Sequence, residues 1–201
     1  MTTAYLRDTA DQAGLRTSQL AIEALGWDEG TRRFVDLDGG PVASLFKLYP
    51  WEWLLEEEFG RHLAPSAGST LWIEPAWKMI LSSKGILPIL WELSPRHPNL
   101  LESHLGGPGA LRQYVRKPLL SREGANITLV SAGRRPEQSE DAGYGGEGYV
   151  FQDLSPLPSF EGRRPVIGSW VIGGEAAGIG VRESDGAITD NRSRFVPHLF
   201  E

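Results

Sequence analysis

Apolar residues recur with a helical period in three parts of the first half of the chain. The pattern predicts helices over residues 3–14, 51–59 and 76–93. Pro50 stands where the second helix can begin. In the third segment, the polar residues 82–85 are soon followed by Pro88. Because proline breaks or bends a helix, we expect two helices or a kink in this segment.

Shorter apolar runs in the first half predict strands. They comprise residues 20–24, 34–40, 42–49 and 71–75, of which 34–40 reads as a strand that enters a tight turn. The run at 42–49 predicts a strand buried in the interior. Residues 96–110 are rich in proline, glycine, histidine and asparagine, and they predict a loop with His97 and His104 at its surface.

The second half alternates apolar runs with glycine-rich turns, which is typical of antiparallel strands. Gly173 and Gly174 separate apolar residues 165–172 from 176–182 and predict a hairpin. Further strands are predicted at 114–117, 127–130, 149–154 and 194–197, and a polar loop is predicted at 131–148. The chain as a whole therefore predicts an α+β or mixed α/β fold with an anion site between sheets.

Composition and charge narrow the classes of function. Hydrophobic residues make up 40% of the chain and charged residues 23%, which is sufficient for a packed core. The net charge of −6 favours neither nucleic acid nor an anionic membrane as a partner. No apolar run approaches the roughly 20 residues that span a bilayer, and the first residues lack signal-peptide character. The absence of cysteine fits a reducing compartment, so we expect a soluble, cytoplasmic protein.

The candidate chemistry lies in residues 114–126. A predicted strand ends at Lys117, and a polar loop containing Glu123 and Gly124 follows before the next strand. A lysine supplies a point charge, a glycine lets the backbone approach closely, and loop N–H groups can point at anionic oxygens. The pattern suits a phosphate clamp, although it is not the Walker motif. An ordinary hairpin with a solvated lysine and arginine is the alternative.

Other polar groups have a structural interpretation beside a functional one. Residues 56–58 are three glutamates that could bind a metal, but a solvated helical face explains them more simply. Lys84 stands beside the predicted helix break, where it can reach a ligand or lie on the surface. His97 and His104 lack a further ligand at suitable spacing. We therefore predict no metal site within this chain.

Eight stretches, in order along nearly the whole chain, resemble the glutathionylspermidine synthase family, whose catalytic core is an ATP-grasp fold. They are residues 45–53, 74–78, 82–88, 114–126, 144–149, 167–170, 177–182 and 189–198. The resemblance implies an ATP-grasp-like region over residues 76–201, in which antiparallel sheets clamp a nucleotide. It also implies a partial α/β, pre-ATP-grasp-like subdomain over residues 1–75.

The resemblance also implies an ATP-dependent carboxylate–amine ligase. In this reaction ATP phosphorylates a carboxylate, and an amine then attacks the acyl phosphate to form an amide. In family members of known activity the acid is glutathione and the amine is spermidine. For this chain the expected partners are ATP, Mg²⁺, a peptide-like carboxylate such as glutathione, and a polyamine or another amine.

Family resemblance assigns a role to individual residues. Lys84 and Lys117 match the two lysines that hold the ATP phosphates. Glu123 and Gly124 match a phosphate loop whose closure would exclude water. Arg182 matches the catalytic arginine that neutralises charge on the transferred phosphoryl group.

Two further segments match parts of the nucleotide site. Gln152, Asp153, Leu154 and Ser155 match the linker whose backbone lies beside the adenine ring. Ala187, Ile188 and Thr189 match a segment that lines the nucleotide. Val166 stands where polyamine-making members have a polar nucleotide contact, so that contact is altered here.

The chain departs from the family in length, because members extend well before the position of Met1. In the family that part carries the Mg²⁺-binding Asp, Glu and Asn residues and much of the acid site. We therefore expect the Mg²⁺ ligands in an N-terminal half or a partner chain. Asp190 and Asn191 lie near the nucleotide segment, but we assign them no metal. The alternatives are a non-catalytic nucleotide-binding module or partner subunit, and a structural domain without a ligand.

Overall fold

The computed structural model describes residues 2–199, which form a mixed α/β fold with mostly antiparallel sheets. This confirms the fold class expected from the alternation of helical and extended patterns. The chain divides into two compact units, Met1–Ile80 and Leu81–Glu201. The finer assignment, a pre-ATP-grasp-like subdomain over 1–75 and an ATP-grasp-like region over 76–201, stays a prediction.

The first unit combines short helices with two small sheets. Its elements are α1 (Thr2–Gln12), a 3₁₀ helix (Ile22–Ala24), β1 (Gly26–Asp28), β2 (Arg33–Val35), β3 (Ser44–Phe46), α2 (Trp51–Glu56), α3 (Gly60–Leu63), β4 (Leu71–Ile73) and a second 3₁₀ helix (Ala76–Lys78). Strands β1 and β2 pair antiparallel, whereas β3 and β4 pair in parallel. Helices α2 and α3 lie in the connection between the parallel strands, which makes this segment a βαβ unit.

An aromatic cluster forms the core of the first unit. Phe34 is fully buried, and its ring meets the edges of Trp27 and Trp72 at centroid distances of 5.1 and 5.3 Å. Trp51, the first residue of α2, lies 5.3 Å from Trp72. Aromatic pairs in this geometry contribute about 0.5–1.5 kcal/mol each beyond the area they bury. The core therefore connects β2, β4 and α2.

Two strand predictions in this unit are wrong. Residues 20–24 contain a 3₁₀ helix instead of a strand, because a short apolar run does not distinguish the two conformations. In the run at 42–49, only Ser44–Phe46 is a strand, and Phe46 is 55% exposed. Neighbouring side chains on a strand point to opposite faces, so Leu45 turns towards the core and Phe46 turns away from it.

The second unit is built mainly from strands. Its elements are α5 (Ile86–Leu93), β5 (Ser103–Leu105), β6 (Tyr114–Pro118), β7 (Thr128–Val130), β8 (Glu137–Gln138), β9 (Tyr149–Asp153), β10 (Arg164–Ile172), β11 (Glu175–Ser184) and β12 (Arg194–Val196), and α4 (Met79–Ser82) spans the division between the units. Across residues 2–199, none of the helices has the length and apolar character needed to cross a membrane.

The break predicted in the long helical pattern is present, but it lies before the proline. Helix α4 ends at Ser82, and α5 begins at Ile86 after the turn that contains Lys84. Pro88 is the third residue of α5. It is tolerated there because the first turn of a helix has N–H groups without intrahelical partners.

The strands of the second unit form two antiparallel sheets. One has the order β5-β9-β6-β7-β8, and the other has the order β10-β11-β12. Gly173 and Gly174 adopt φ values of 60° and 89°, which confirms the predicted glycine turn between β10 and β11. The predicted loop at 96–110 is wrong at β5, because Ser103–Leu105 gains its strand conformation by pairing with β9, about 50 residues later in the chain.

We expect Leu54→Ala to destabilise the first unit by about 2–5 kcal/mol, because it leaves a cavity at a side chain that is 1% exposed. Leu55→Ala on the same helix is the matched control, since Leu55 is 49% exposed and its loss should cost below about 1 kcal/mol. Urea unfolding followed by tryptophan fluorescence measures both. Equal losses in the two variants would contradict this description of the core.

Candidate functional site

Lys117 lies near the end of β6, on the face of the sheet that carries the core. In the antiparallel register of β6 and β9, Val115 stands opposite Gln152 and Lys117 opposite Val150. Lys117 and Gln152 are therefore diagonal neighbours on one face, within reach of long side chains. The Lys117 Nζ donates a hydrogen bond of 2.7 Å to the Gln152 Oε1.

The charge of Lys117 is partly shielded from water, and no opposite charge stands beside it among the described residues. Val115, Leu129 and Val150 are buried around it, and burial lowers the pKa of Lys117 below its ordinary value of 10.5. Within residues 2–199, no carboxylate lies within ion-pair distance of its Nζ. A buried ammonium group paired with a neutral amide is costly by itself, and an anion would offset that cost. Lys117 thus differs from the solvated lysine of the plain-hairpin interpretation.

Lys84 reaches the same end of β6 from the break between α4 and α5. Its backbone N–H donates to the Leu119 carbonyl at 2.9 Å, two residues after Lys117. Its Nζ donates to both the carbonyl oxygen and the Oγ of Ser121, each at 3.0 Å. Lys84 therefore fixes the start of the loop that joins β6 to β7.

The loop after Ser121 packs against the segment between β11 and β12. Gly124 has a φ of 75°, and a Cβ atom there would come within 2.5 Å of the Thr189 carbonyl oxygen. A glycine is needed for this approach. Beside it, the Asn191 Nδ2 donates to the Glu123 Oε2 at 3.2 Å. The structure thus brings together the predicted phosphate loop and the predicted nucleotide-lining segment at residues 187–189.

Arg182 lies on β11 opposite Val166 and Phe195. Its Nη2 donates to the Asp190 carbonyl oxygen at 2.6 Å, and its guanidinium carbon lies 5.5 Å from the centre of the Phe195 ring. Its Nε is buried and has no hydrogen-bond partner in the described part of the chain. The guanidinium group is therefore held in place by its Asp190 and Phe195 contacts, and it contains a buried N–H without a partner among the described residues.

A cleft of about 760 Å³ lies between the β6–β7 loop, β8 and the residues joining β11 to β12. Four of the predicted site residues line it, namely Glu123, Gly124, Ala187 and Ile188. Lys84, Lys117, Gln152 and Arg182 lie outside its lining. Of these four, Arg182 reaches the lining through its hydrogen bond to the Asp190 carbonyl oxygen, and Lys84 binds Ser121, the residue before the lining begins at Arg122.

The remaining predicted site residues follow Gln152 at the end of β9. The Asp153 Oδ1 accepts a hydrogen bond of 2.8 Å from the Leu154 N–H, and the Asp153 N–H donates to the Glu102 carbonyl oxygen at 2.8 Å. Leu154 is half-buried and Ser155 is exposed. The first two N–H groups after Gln152 are therefore engaged within the chain.

Sequence reasoning did not assign Ser121 or Asn191 to the site, although they hold Lys84 and Glu123. Their contacts join residues 37 and 68 positions apart in the chain, and no local pattern signals such distant pairs. Within residues 2–199, no group of three or more His, Asp or Glu side chains is arranged to hold a metal ion.

Comparison with known proteins places these residues in a family context. A family model described as glutathionylspermidine synthase preATP-grasp matches residues 1–201. A Haemophilus influenzae protein, whose name proposes it as an acid–amine ligase, is 46% identical over 204 residues, which cover 98% of this chain and 51% of that protein.

Two relatives with more specific names are also similar. Trypanothione synthetase of Crithidia fasciculata is 29% identical over 183 residues, covering 80% of this chain and 28% of the relative. The bifunctional glutathionylspermidine synthetase/amidase of Escherichia coli K12 is 27% identical over 217 residues, covering 96% of this chain and 35% of the relative. The chain thus spans about half the length of the Haemophilus relative and less of the other two.

We expect Lys117→Met to flatten the rise of stability with pH. Because burial lowers the pKa of folded Lys117, the unfolded chain binds more protons between that pKa and 10.5, and the free energy of unfolding rises with pH there. Below the folded pKa, the cost of the buried charge is fully present. Urea unfolding from neutral pH to 10.5 measures this, with Lys78→Met as the control. Parallel profiles for the unchanged chain and Lys117→Met would contradict the burial of the charge.

Proposed function

We propose, because this chain belongs to the glutathionylspermidine synthase preATP-grasp family, that it is the nucleotide-binding part of an ATP-dependent ligase that joins a carboxylate to an amine. Its relatives are named as synthetases or as an acid–amine ligase. The proposal places the nucleotide site in residues 76–201, between the five-stranded and three-stranded sheets.

The observation that carries this proposal is the buried Lys117 with a neutral hydrogen-bond partner. A triphosphate supplies the negative charge that this lysine lacks, and it can take the N–H groups that Gln152 leaves open. Lys84 approaches the same strand end through Leu119 and Ser121. Two lysines at one end of β6 fit the phosphate chain of a nucleotide.

The loop with Glu123 and Gly124 supports the same site. At Gly124 it packs against Thr189 so closely that a side chain would not fit. We place Ala187, Ile188 and Thr189 along the nucleotide, and we place the adenine ring beside the main chain of Gln152, Asp153, Leu154 and Ser155. A closed loop would exclude water from the reacting phosphate.

ATP, when bound, supplies the phosphoryl group that activates the carboxylate as an acyl phosphate for attack by the amine. Arg182 is the catalytic residue in this proposal. Its guanidinium group is fixed by the Asp190 carbonyl and by Phe195. A preorganised donor of this kind acts where charge develops in the transition state.

The proposed acid is a peptide-like carboxylate such as glutathione, and the proposed amine is a polyamine or a related amine. We place the Mg²⁺ ligands and most of the acid site in polypeptide that corresponds to the remaining length of the relatives, either N-terminal to this segment or in a partner chain. The absence of cysteine fits work in a reducing compartment such as the cytoplasm.

We expect Lys117→Ala to abolish binding of a non-hydrolysable ATP analogue in the presence of Mg²⁺, because the buried charge-assisted phosphate contact is lost. Calorimetry on this chain measures the affinity. Arg116→Ala is the matched control, since the Arg116 side chain packs on Tyr149, at 4.6 Å, on the opposite face of β6. Arg116→Ala should leave the affinity unchanged. The site would be contradicted if Lys117→Ala bound the analogue as tightly as the unchanged chain, or if Arg116→Ala lost as much affinity as Lys117→Ala.

We expect Arg182→Ala to lower turnover much more than ATP affinity when the chain is part of an active ligase. A contact made mainly in the transition state affects kcat rather than ground-state binding. Steady-state kinetics and nucleotide titration on the same preparation separate the two effects. Equal losses in both would assign Arg182 to nucleotide binding, and nucleotide binding without turnover in any assembly would favour a non-catalytic module.

A further inference from the structure

The main chain of Gln152 belongs to the proposed nucleotide site, whereas its side chain binds Lys117. Gln152 is 8% exposed, and its Oε1 accepts the 2.7 Å hydrogen bond from the Lys117 Nζ. Because an ammonium group only donates, the amide oxygen must face the lysine, and this fixes the orientation of the amide. The side chain therefore has a defined task that is separate from the backbone of β9.

The surroundings leave Gln152 as the single polar partner of the lysine in the described chain. The core residues Val115, Leu129 and Val150 lie on the same face of the sheet, and Ser103 stands opposite Gln152 on β5. The Ser103 hydroxyl donates to the Leu101 carbonyl at 2.9 Å, so it is engaged elsewhere.

Charged side chains on the neighbouring strand positions face the other way. Arg116 lies over Tyr149, and Asp153 accepts the N–H of Leu154. Both belong to the alternate face of β6 and β9. Burial is the cause that lowers the pKa of Lys117, and no neighbouring charge contributes to that shift.

A neutral acceptor is chemically distinct from a carboxylate at this position. A glutamate would form a buried ion pair, in which the charge of the lysine is cancelled within the protein. An amide oxygen occupies one N–H of the ammonium group and leaves its net charge and two further donors to a ligand. The hydrogen bond to Gln152 thus fixes the direction of the Lys117 ammonium group and leaves its positive charge uncancelled.

We propose that Gln152 is the positioning residue of Lys117: its neutral side-chain oxygen aims the ammonium group along the sheet face without cancelling its charge. This inference rests on the proposed function, in which Lys117 holds nucleotide phosphates. It adds that the residue at position 152 must accept a hydrogen bond and must not carry a negative charge.

The test compares Gln152→Glu and Gln152→Met, which keep the length of the side chain. The chain has four lysines, so ¹³Cε signals of labelled lysine can be assigned by substitution, and the titration of Lys117 can be followed directly. Gln152→Glu should raise the pKa of Lys117, because a carboxylate favours the charged form. Gln152→Met should lower it, because the hydrogen bond to the charged form is lost.

Affinity for the ATP analogue should fall about tenfold or more in both variants, although the pKa moves in opposite directions. Ser103→Ala is the matched control, because Ser103 is 2% exposed beside the pair but does not contact Lys117. It should leave the titration of Lys117 unchanged. If Gln152 had only a structural role, the substitutions would change stability, but the pKa of Lys117 would not move in opposite directions in Gln152→Glu and Gln152→Met.

The outcomes separate this inference from the proposed function. An unchanged pKa of Lys117 in both Gln152 variants, or full affinity in Gln152→Glu, would overturn the positioning role even if the unchanged chain binds nucleotide. No nucleotide binding by the unchanged chain would overturn the proposed function, and the lysine titration would then still decide whether Gln152 positions Lys117. Amide spectra of each variant confirm that the sheet is folded.

Discussion

Burial of one lysine charge in the middle of a sheet is the constraint on which the site depends. Strand β6 pairs with both β9 and β7, and Lys117 is half-buried on the face of this sheet that carries Val115, Leu129 and Val150. The cost of a buried ammonium group is reduced by Gln152 but not removed, since a neutral amide cancels no charge. The sheet therefore keeps a partly buried positive charge beside a neutral amide.

Around this lysine, long-range contacts organise the loops. Lys84 holds the start of the β6–β7 loop at Ser121, and Gly124 lets the loop approach Thr189 at a distance that a side chain would prevent. Arg182 is fixed on the other side of that contact by the Asp190 carbonyl. The proposed phosphate-binding residues are thus each supported by a second residue of the chain, which is how a site is preorganised.

The fold could be predicted where a pattern was long or locally specified. The first helix, the helix starting after Pro50 and the hairpin at Gly173 and Gly174 were found because period, proline and glycine act within a few residues. Strand β5 was missed, and the burial of residues 42–49 was wrong. Both depend on which distant strand each segment meets, and such pairing has no local sequence signal.

For the site, the sequence by itself determined which residue types are present and in what order: the lysine at the end of a strand, the glycine in the loop after it, and the arginine in the last hairpin. It also determined the family, through motifs spread along the chain. The tertiary structure alone decided that Lys117 is half-buried, that its partner is the amide of Gln152, and that Glu123 meets Asn191. Burial and side-chain pairing depend on residues far apart in the chain, so they exist only once the sheets have formed.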